Sequence, residues 1–406
     1  MRFRVIPSCL SHPSIKLSVT CTCAVLLLAA LIPAGTFAQV TNWPEDRFGN
    51  DRLGFNPYER ILNPSNANQL SLLWRRNEGE TLILVSPAVA NGVLYADSFM
   101  NGRGAPTLFA LNARTGGPLW QRPLLGQFFL SAPAVANGVV YVGVGFFVPY
   151  YTGAMYAFDA QTGAPLWTYG HIGAVQSSPL VSNGVVYFGS LDGYLYALNA
   201  KNGNLLWRSV AGLSYGITAP PTLVNGVIYV GSNDFFLYAF NANTGAQLWR
   251  FKTAYSVAAA AAVQSGVAYV NSGGNTYAVD ANAGTQLWIN VTNGAFVNSP
   301  AVANGMVYVC GYASSTGLAA LDAQTGTTLW SFPTAQCSNS SPAVANGVVY
   351  VGSEDGYVYA VNANSGELLW RGAASSRLET SVVVVNGVLY VPTYDGNVFA
   401  YSLNGR

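Results

Sequence analysis

Few residues in this chain could do chemistry, and their spacing limits what that chemistry is. Beyond residue 38 there are two cysteines, Cys310 and Cys337, neither in a Cys-x-x-Cys context. Such a pair reads as a structural disulfide if the chain enters an oxidising compartment. A redox-active pair would need a neighbourhood that favours the thiolate. One histidine remains there, His171. With no second imidazole it supports neither a zinc site nor a nucleophilic triad, and it reads as a solvated loop residue. Acids recur at one kind of turn: Asp97, Asp192, Asp234, Glu354, Asp355 and Asp395. Calcium needs roughly six to eight converging oxygens, so one acid per turn reads as turn chemistry, the side chain bonding its own backbone. The most suggestive group is aromatic. Phe99, Met100 and Arg103, then Phe128 and Phe129, then Phe146, Phe147, Tyr150 and Tyr151 fall in non-repeated segments. Exposed aromatic clusters mark binding sites, whereas loops that fold over bury their own rings. Both readings stay open at this stage.

A repeat must position these residues. Ser177 to Trp207 reads SSPLVSNGVVYFGSLDGYLYALNAKNGNLLW. It holds four short apolar runs separated by three turns, at Asn183-Gly184, at Asp192-Gly193 and from Asn199 to Gly203. The first two pairs suit tight hairpins, since their residues tolerate positive φ. Four antiparallel strands in about 40 residues make one propeller blade. The first turn recurs at Asn91, Asn137, Asn225, Asn304, Asn346 and Asn386, with Ser265-Gly266 in its place once. Trp120, Trp167, Trp207, Trp249, Trp288, Trp330 and Trp370 close successive fourth strands, each eight positions after an Asn or Asp. The large ring at this position is expected to fill a fixed gap between neighbouring blades. The eighth copy stops at Gly405-Arg406, before its fourth strand. Asn66 to Trp74 has the missing spacing and the same Leu-Leu-Trp ending. Leu70–Arg76 is therefore expected to close the last blade, which removes the exposed edges of an open array. The expectation is an all-β chain, an eight-bladed propeller of four-stranded antiparallel blades.

Composition agrees. Charged residues are 9% and hydrophobic ones 51%, against roughly 25% charged in ordinary globular chains. Arg2, Arg4 and Lys16 precede an apolar run from Ala24 to Ile32, and Thr36-Phe37-Ala38 follows. That order is a secretory leader with cleavage expected after Ala38. The run is too short for the ~20 residues of a membrane span. Residues 39–65 then form an N-terminal arm and 66–406 the propeller. Without the leader, fifteen basic residues face seventeen acidic ones, a net charge of about −2 with no basic block. Nucleic acid and anionic membranes call for a basic face, so neither is an expected partner. A secreted, periplasmic or envelope-associated monomer is expected, with no membrane span after cleavage.

The segments SPAVANGVVYVGS, LYALNA and TGxxLW, nearly intact at Ser341–Trp370, resemble the repeats of the pyrroloquinoline-quinone (PQQ) propellers. The similarity runs from about Asn66 to Arg406. The resemblance implies the fold. It leaves activity open, because the family holds quinone-dependent dehydrogenases and non-catalytic scaffolds such as the BamB-like assembly propellers. Trp43 to Trp74 also resembles the openings of quinoprotein dehydrogenases. Their quinone site would use an aromatic floor, an adjacent cysteine pair, a calcium ion and a carboxylate base. Here eight tryptophans, Trp74 included, hold the blade-docking position, and the ninth, Trp43, lies in the arm. No Cys-Cys pair exists. The sequence thus favours a binding or scaffold module whose loop face takes a protein segment or small molecule, over a PQQ- and calcium-dependent alcohol or sugar dehydrogenase. A sensor or structural envelope module is the third reading. No catalytic or metal-binding residue is assigned.

Overall fold

The structure, a computed structural model, describes residues 42–403 apart from 78–80, 83–84, 101–105, 126–128, 147–151, 213–214, 297, 312–316 and 338. Eight small antiparallel sheets follow one another in chain order. Blade three is representative: strand a is Leu180–Ser182, b is Val185–Gly189, c is Tyr194–Asn199 and d is Leu205–Val210. The same four positions are called a to d in every blade, a innermost and d outermost. At each a–b turn the Asn, or Ser265, has φ between 44° and 53° and the following Gly φ between 74° and 81°. Two successive left-handed residues match the right-handed twist of the strands they join.

Strands b and c are apolar on both faces because a blade covers each side. Val348–Gly352 of blade seven is buried throughout, while Leu205–Val210 alternates between exposed and half-buried. The core is accordingly divided among the blade junctions. Tyr187, Leu195 and Ala197 of blade three, for example, meet Ile228, Val230 and Tyr238 of blade four. Two donors clamp most junctions at a single carbonyl. The Trp167 indole and the Tyr141 hydroxyl of blade two both donate to Ala200 O of blade three, at 2.9 and 3.2 Å. Trp74, Trp120, Trp207, Trp249, Trp288 and Trp330 repeat this, each with a strand-b tyrosine, on Ala113, Ala160, Ala242, Ala281, Ala323 and Ala363. A left-handed glycine of the next blade lies under each ring. A Cβ on Gly203 would come within 2.7 Å of Trp167. Trp370 differs: it sits edge-on to Tyr401, 5.0 Å between centroids.

Leu70–Asn77 pairs antiparallel with Asn397–Leu403, Leu70 opposite Leu403 and Asn77 opposite Asn397. The first propeller strand therefore completes the last blade. Three local expectations need correction. In blade five b and c run together as Val267–Asp280, leaving three strands, because the Ser-x-Asp-Gly turn is replaced by the shorter Ser272-Gly273-Gly274. His171 is not in a loop but in strand d of blade two, Pro165–Gly173, exposed and with φ 61°. That strand runs on past the usual stop and absorbs extra residues as a bulge, the pairing shifting between Gly153 and Met155. Asp97 is not at a turn. It lies within strand b of blade one, opposite Leu108, fully buried.

Candidate functional site

A propeller's innermost strands pair on one edge only, so a ring of unpaired backbone faces the central channel. In this chain the arm supplies the partners. Trp43 exchanges two backbone hydrogen bonds of 2.7 Å with Val89 of blade one. Val135 of blade two donates to Pro44 O at 2.7 Å, and the Val181 amide of blade three donates to the Glu45 carboxylate. Leu223, Val263, Val302 and Val344 of blades four to seven donate to Asn50, Asp51, Leu53 and Gly54 carbonyls at 2.7–3.1 Å. Asn56 closes the circuit, its amide donating to Val384 O of blade eight at 3.0 Å. One short segment thus touches all eight inner strands.

Two arginines fix it. Arg47 is buried and donates to Pro342 O at 2.6 Å and Pro300 O at 3.0 Å. Arg52, also buried, donates to Pro221 O at 3.1 Å, Pro179 O at 3.0 Å and the Asp46 carbonyl. Burial lowers Arg47 to about 10, and it remains a cation at neutral pH. Its guanidinium lies against Gly54, where a Cβ would stand 2.0 Å from Nη2 and φ is +60°. Glu45 is 3.9 Å from Arg52. Burial pushes its carboxyl up to about 7, with Arg52 pulling the other way.

Above the arm a well of about 240 Å³ remains, lined by every blade and floored by Asp46. Its walls come from the starts of the a strands and the ends of the d–a loops, so it opens on the loop face, opposite the Asn-Gly turns. Gln176, Asn298, Asn339, Glu379 and Thr380 give it a polar lining. Among the described residues, no basic side chain and no aromatic ring lines it. Glu379 is paired with Arg377 at 2.9 Å, and burial raises its carboxyl, with Arg377 opposing.

The loop face also carries the disulfide. Cys310 and Cys337 are bonded across blades six and seven, Cα atoms 5.5 Å apart, and the Asn298 amide donates to both their carbonyls, at 2.6 and 3.2 Å. Most turn acids serve their own turns. Asp192, Asp234 and Asp355 each accept from the tyrosine four residues on, Tyr196, Tyr238 and Tyr359, at 2.6–2.7 Å, and from a nearer backbone amide. Asp97 has no such partner among the described residues, and burial holds it well above the usual carboxylate range.

Of the predicted aromatic group, Phe146 is half-buried against the core between blades one and two. Phe99, Met100 and Phe129 lie on strand ends whose side chains are outside the described residues, as are Arg103, Phe128, Phe147, Tyr150 and Tyr151 entirely. Sequence reasoning missed a second aromatic group on the same face. Tyr215, Phe235 and Tyr255 are 61%, 42% and 57% exposed, and the first two rings are 6.4 Å apart. The signal was in the repeat. Phe235 takes the glycine place of the turn, equivalent to Gly193, and adopts φ 74° where that glycine has 83°. A bulky side chain in this region is strained, and such outliers cluster at functional sites.

The family described as outer membrane protein assembly factor BamB, a PQQ repeat family, matches residues 65–233, 233–338 and 314–406. The chain belongs to this PQQ-type propeller family. No curated protein matches it. Among solved structures it is similar to the quinohemoprotein alcohol dehydrogenase of Comamonas testosteroni, at 15% identity and TM-score 0.74, over 90% of this chain and 81% of that one. BamB of Moraxella catarrhalis matches at 18% identity and TM-score 0.66, over 82% and 99%. A europium-containing methanol dehydrogenase matches at 14% identity and TM-score 0.75, over 89% and 98%. At these identities the likeness speaks for the fold alone. Quinone binding has to be judged on this PQQ-type propeller's own residues. PQQ is a flat tricarboxylate, so it needs a ring face and cations, which the described lining of the well does not offer. Asp46 and Glu379 add negative charge instead, and the docking tryptophans are committed to blade junctions. No three His, Cys, Asp or Glu side chains among the described residues group as metal ligands. The described lining of the well does not fit the quinone. No helix among them is long and apolar enough to cross a membrane.

Proposed function

We propose that this PQQ-type propeller is an exported binding module of the cell envelope or the extracellular space. In this reading the leader at 1–38 is removed and a monomeric propeller presents its loop face to a protein segment. The observation that carries it is the exposed group Tyr215, Phe235 and Tyr255, on the face onto which the well opens, with Phe235 held in a strained conformation. Rigid aromatics on a wet surface are the side chains that anchor interfaces. The strand ends at Phe99, Met100 and Phe129 lie on the same face and would extend the surface; Arg103, Phe128, Phe147, Tyr150 and Tyr151, named with them from the sequence, lie outside the described residues. The family's description as an assembly factor fits a role in holding other proteins. The test is a photo-crosslinking residue placed singly at Tyr215, Tyr255 and, on the opposite face, Asn304, in the native cell. Discrete adducts from the first two and none from Asn304 are expected. Adducts from both faces alike, none at all, or dye-linked alcohol oxidation by protein mixed with PQQ and calcium would overturn the reading.

A further inference from the structure

The channel already holds two guanidinium groups, both supplied by the chain itself. Arg47 and Arg52 are solvated by backbone carbonyls of Pro179, Pro221, Pro300 and Pro342, one from each of four blades. Four blades thus turn a carbonyl inward just before their inner strand, an acceptor-rich wall suited to a planar, multi-donor cation. The space left above the arm is polarised the same way. Asp46 forms its floor and Glu379 stands in its wall. Beside Glu379, Thr380 is 3% exposed, and its hydroxyl is buried with no hydrogen-bond partner among the described residues. A buried polar group without a partner is costly, and Thr380 is one of the residues lining the well. Arg377, which pairs with Glu379, is itself half-exposed outside the well.

We infer that the well receives the guanidinium of an arginine side chain, inserted end-on from the loop face, with Asp46 and Glu379 as its counter-charges and the wall amides and hydroxyls completing its hydrogen bonds. This rests on the reading of the loop face as a binding surface and adds what the centre of that surface selects. The aromatic group would hold the flanking segment and the well its arginine. The volume suits a single side chain, and the low dielectric of a closed-ended channel strengthens each charge-assisted bond.

Calorimetry on the mature protein distinguishes the outcomes. The probes are Nα-acetyl-arginine methylamide, its uncharged isostere made from citrulline, and the same arginine inside a short neutral peptide. The arginine probe should bind at least about tenfold more tightly than the citrulline one, since only the charged group gains the paired carboxylates. Tighter binding of the peptide would mark a protein segment as the source, and equal binding a free guanidine. Glu379→Gln should weaken the arginine probe by about tenfold and leave the citrulline probe unchanged. Asp46→Asn should do the same, and Glu379→Gln serves alone if that variant misfolds. Equal affinity for arginine and citrulline, no binding of either, or indifference to Glu379→Gln would overturn the inference. If discrimination is lost while crosslinks from Tyr215 and Tyr255 persist, the well fails and the binding face stands. The opposite pattern would refute the face and keep the well.

Discussion

At the scale of single residues, repetition makes departures from it informative. Seven junctions satisfy a buried tyrosine hydroxyl and an indole on one carbonyl. At the eighth, between blades seven and eight, strands c and d of blade eight come from distant parts of the chain and no turn joins them, and the Tyr350 hydroxyl is buried without a partner among the described residues. Tyr229→Phe, which removes the 3.1 Å bond to Ala281 O, should cost about 1 kcal/mol in urea unfolding. Tyr350→Phe should be neutral or stabilising, because it removes only an unpaired group. Equal losses would contradict the clamp. Glu45 makes a second expectation, this one in pH. Burial raises its folded pKa from 4.5 to about 7, so the folded state holds the proton more tightly than the unfolded state. The stability linked to that proton is complete below pH 4.5 and is lost as pH rises through 7. At 1.36 kcal/mol per pKa unit this is about 3 kcal/mol. Glu45→Gln should flatten that stretch of the stability profile, and a parallel slope in wild type and variant would refute the assignment. The docking tryptophans were legible because their spacing is fixed. Asp97 was not, because its place in a strand depends on blade one pairing further along strand b than the five-residue ladders of blades three, four, seven and eight.

At the scale of elements, the blades could be read from the sequence and the arm could not. A blade is a local object, four strands whose periodicity and turns lie within about 40 residues of each other. The arm's partners are backbone carbonyls far along the chain, Pro300 being 253 positions from Arg47 and Pro342 295, and backbone acceptors leave no trace in side-chain pattern. The nearest signal is charge. Five of the eight residues from Glu45 to Arg52 are ionisable in a chain only 9% charged, and clustered charge in an apolar protein asks where it is solvated. Arg52→Ala should cost roughly 3–5 kcal/mol, as expected for a buried charge network broken on one side. Arg114→Ala at an exposed turn should stay within about 0.5 kcal/mol. Gly54→Ala should resemble the first, since its Cβ would meet the Arg47 guanidinium. Thermal melts of the three variants decide this, and a mild Arg52→Ala would show that the arm is not anchored by its arginines. The loop-face aromatics were legible only in part. Departure from the repeat singled out the segments of blades one and two, while Tyr215, Phe235 and Tyr255 betray themselves by one residue in a glycine place.

At the scale of the whole molecule, the N-terminal segment does two separable jobs, and truncations tell them apart. Removing residues 39–76 takes away the strand that completes blade eight and leaves Asn397–Leu403 as an open edge, so aggregation and loss of a cooperative melt are expected. Removing only 39–59 keeps Leu70–Asn77. The ring should still close and elute as a monomer, yet melt earlier, because eight inner strands lose the partners they find in the arm. Identical behaviour of the two truncations in calorimetry and size-exclusion chromatography would show that closure and plugging are one event. The composite blade also sets a timetable. Ser71 and Ser402 are neighbours in space but 331 positions apart in the chain, and contacts of such separation form late. In a chain made from its N-terminus, the first propeller strand to appear is the last to find its partner. The arm likewise cannot settle until blade eight exists. Throughout synthesis the nascent ring therefore carries an unpaired strand, Leu70–Asn77, at one end and an uncovered apolar blade face at the other, sticky towards sister chains and towards any chaperone that holds strands. The birth of this protein, more than its finished form, is where crowding and escort would decide its yield.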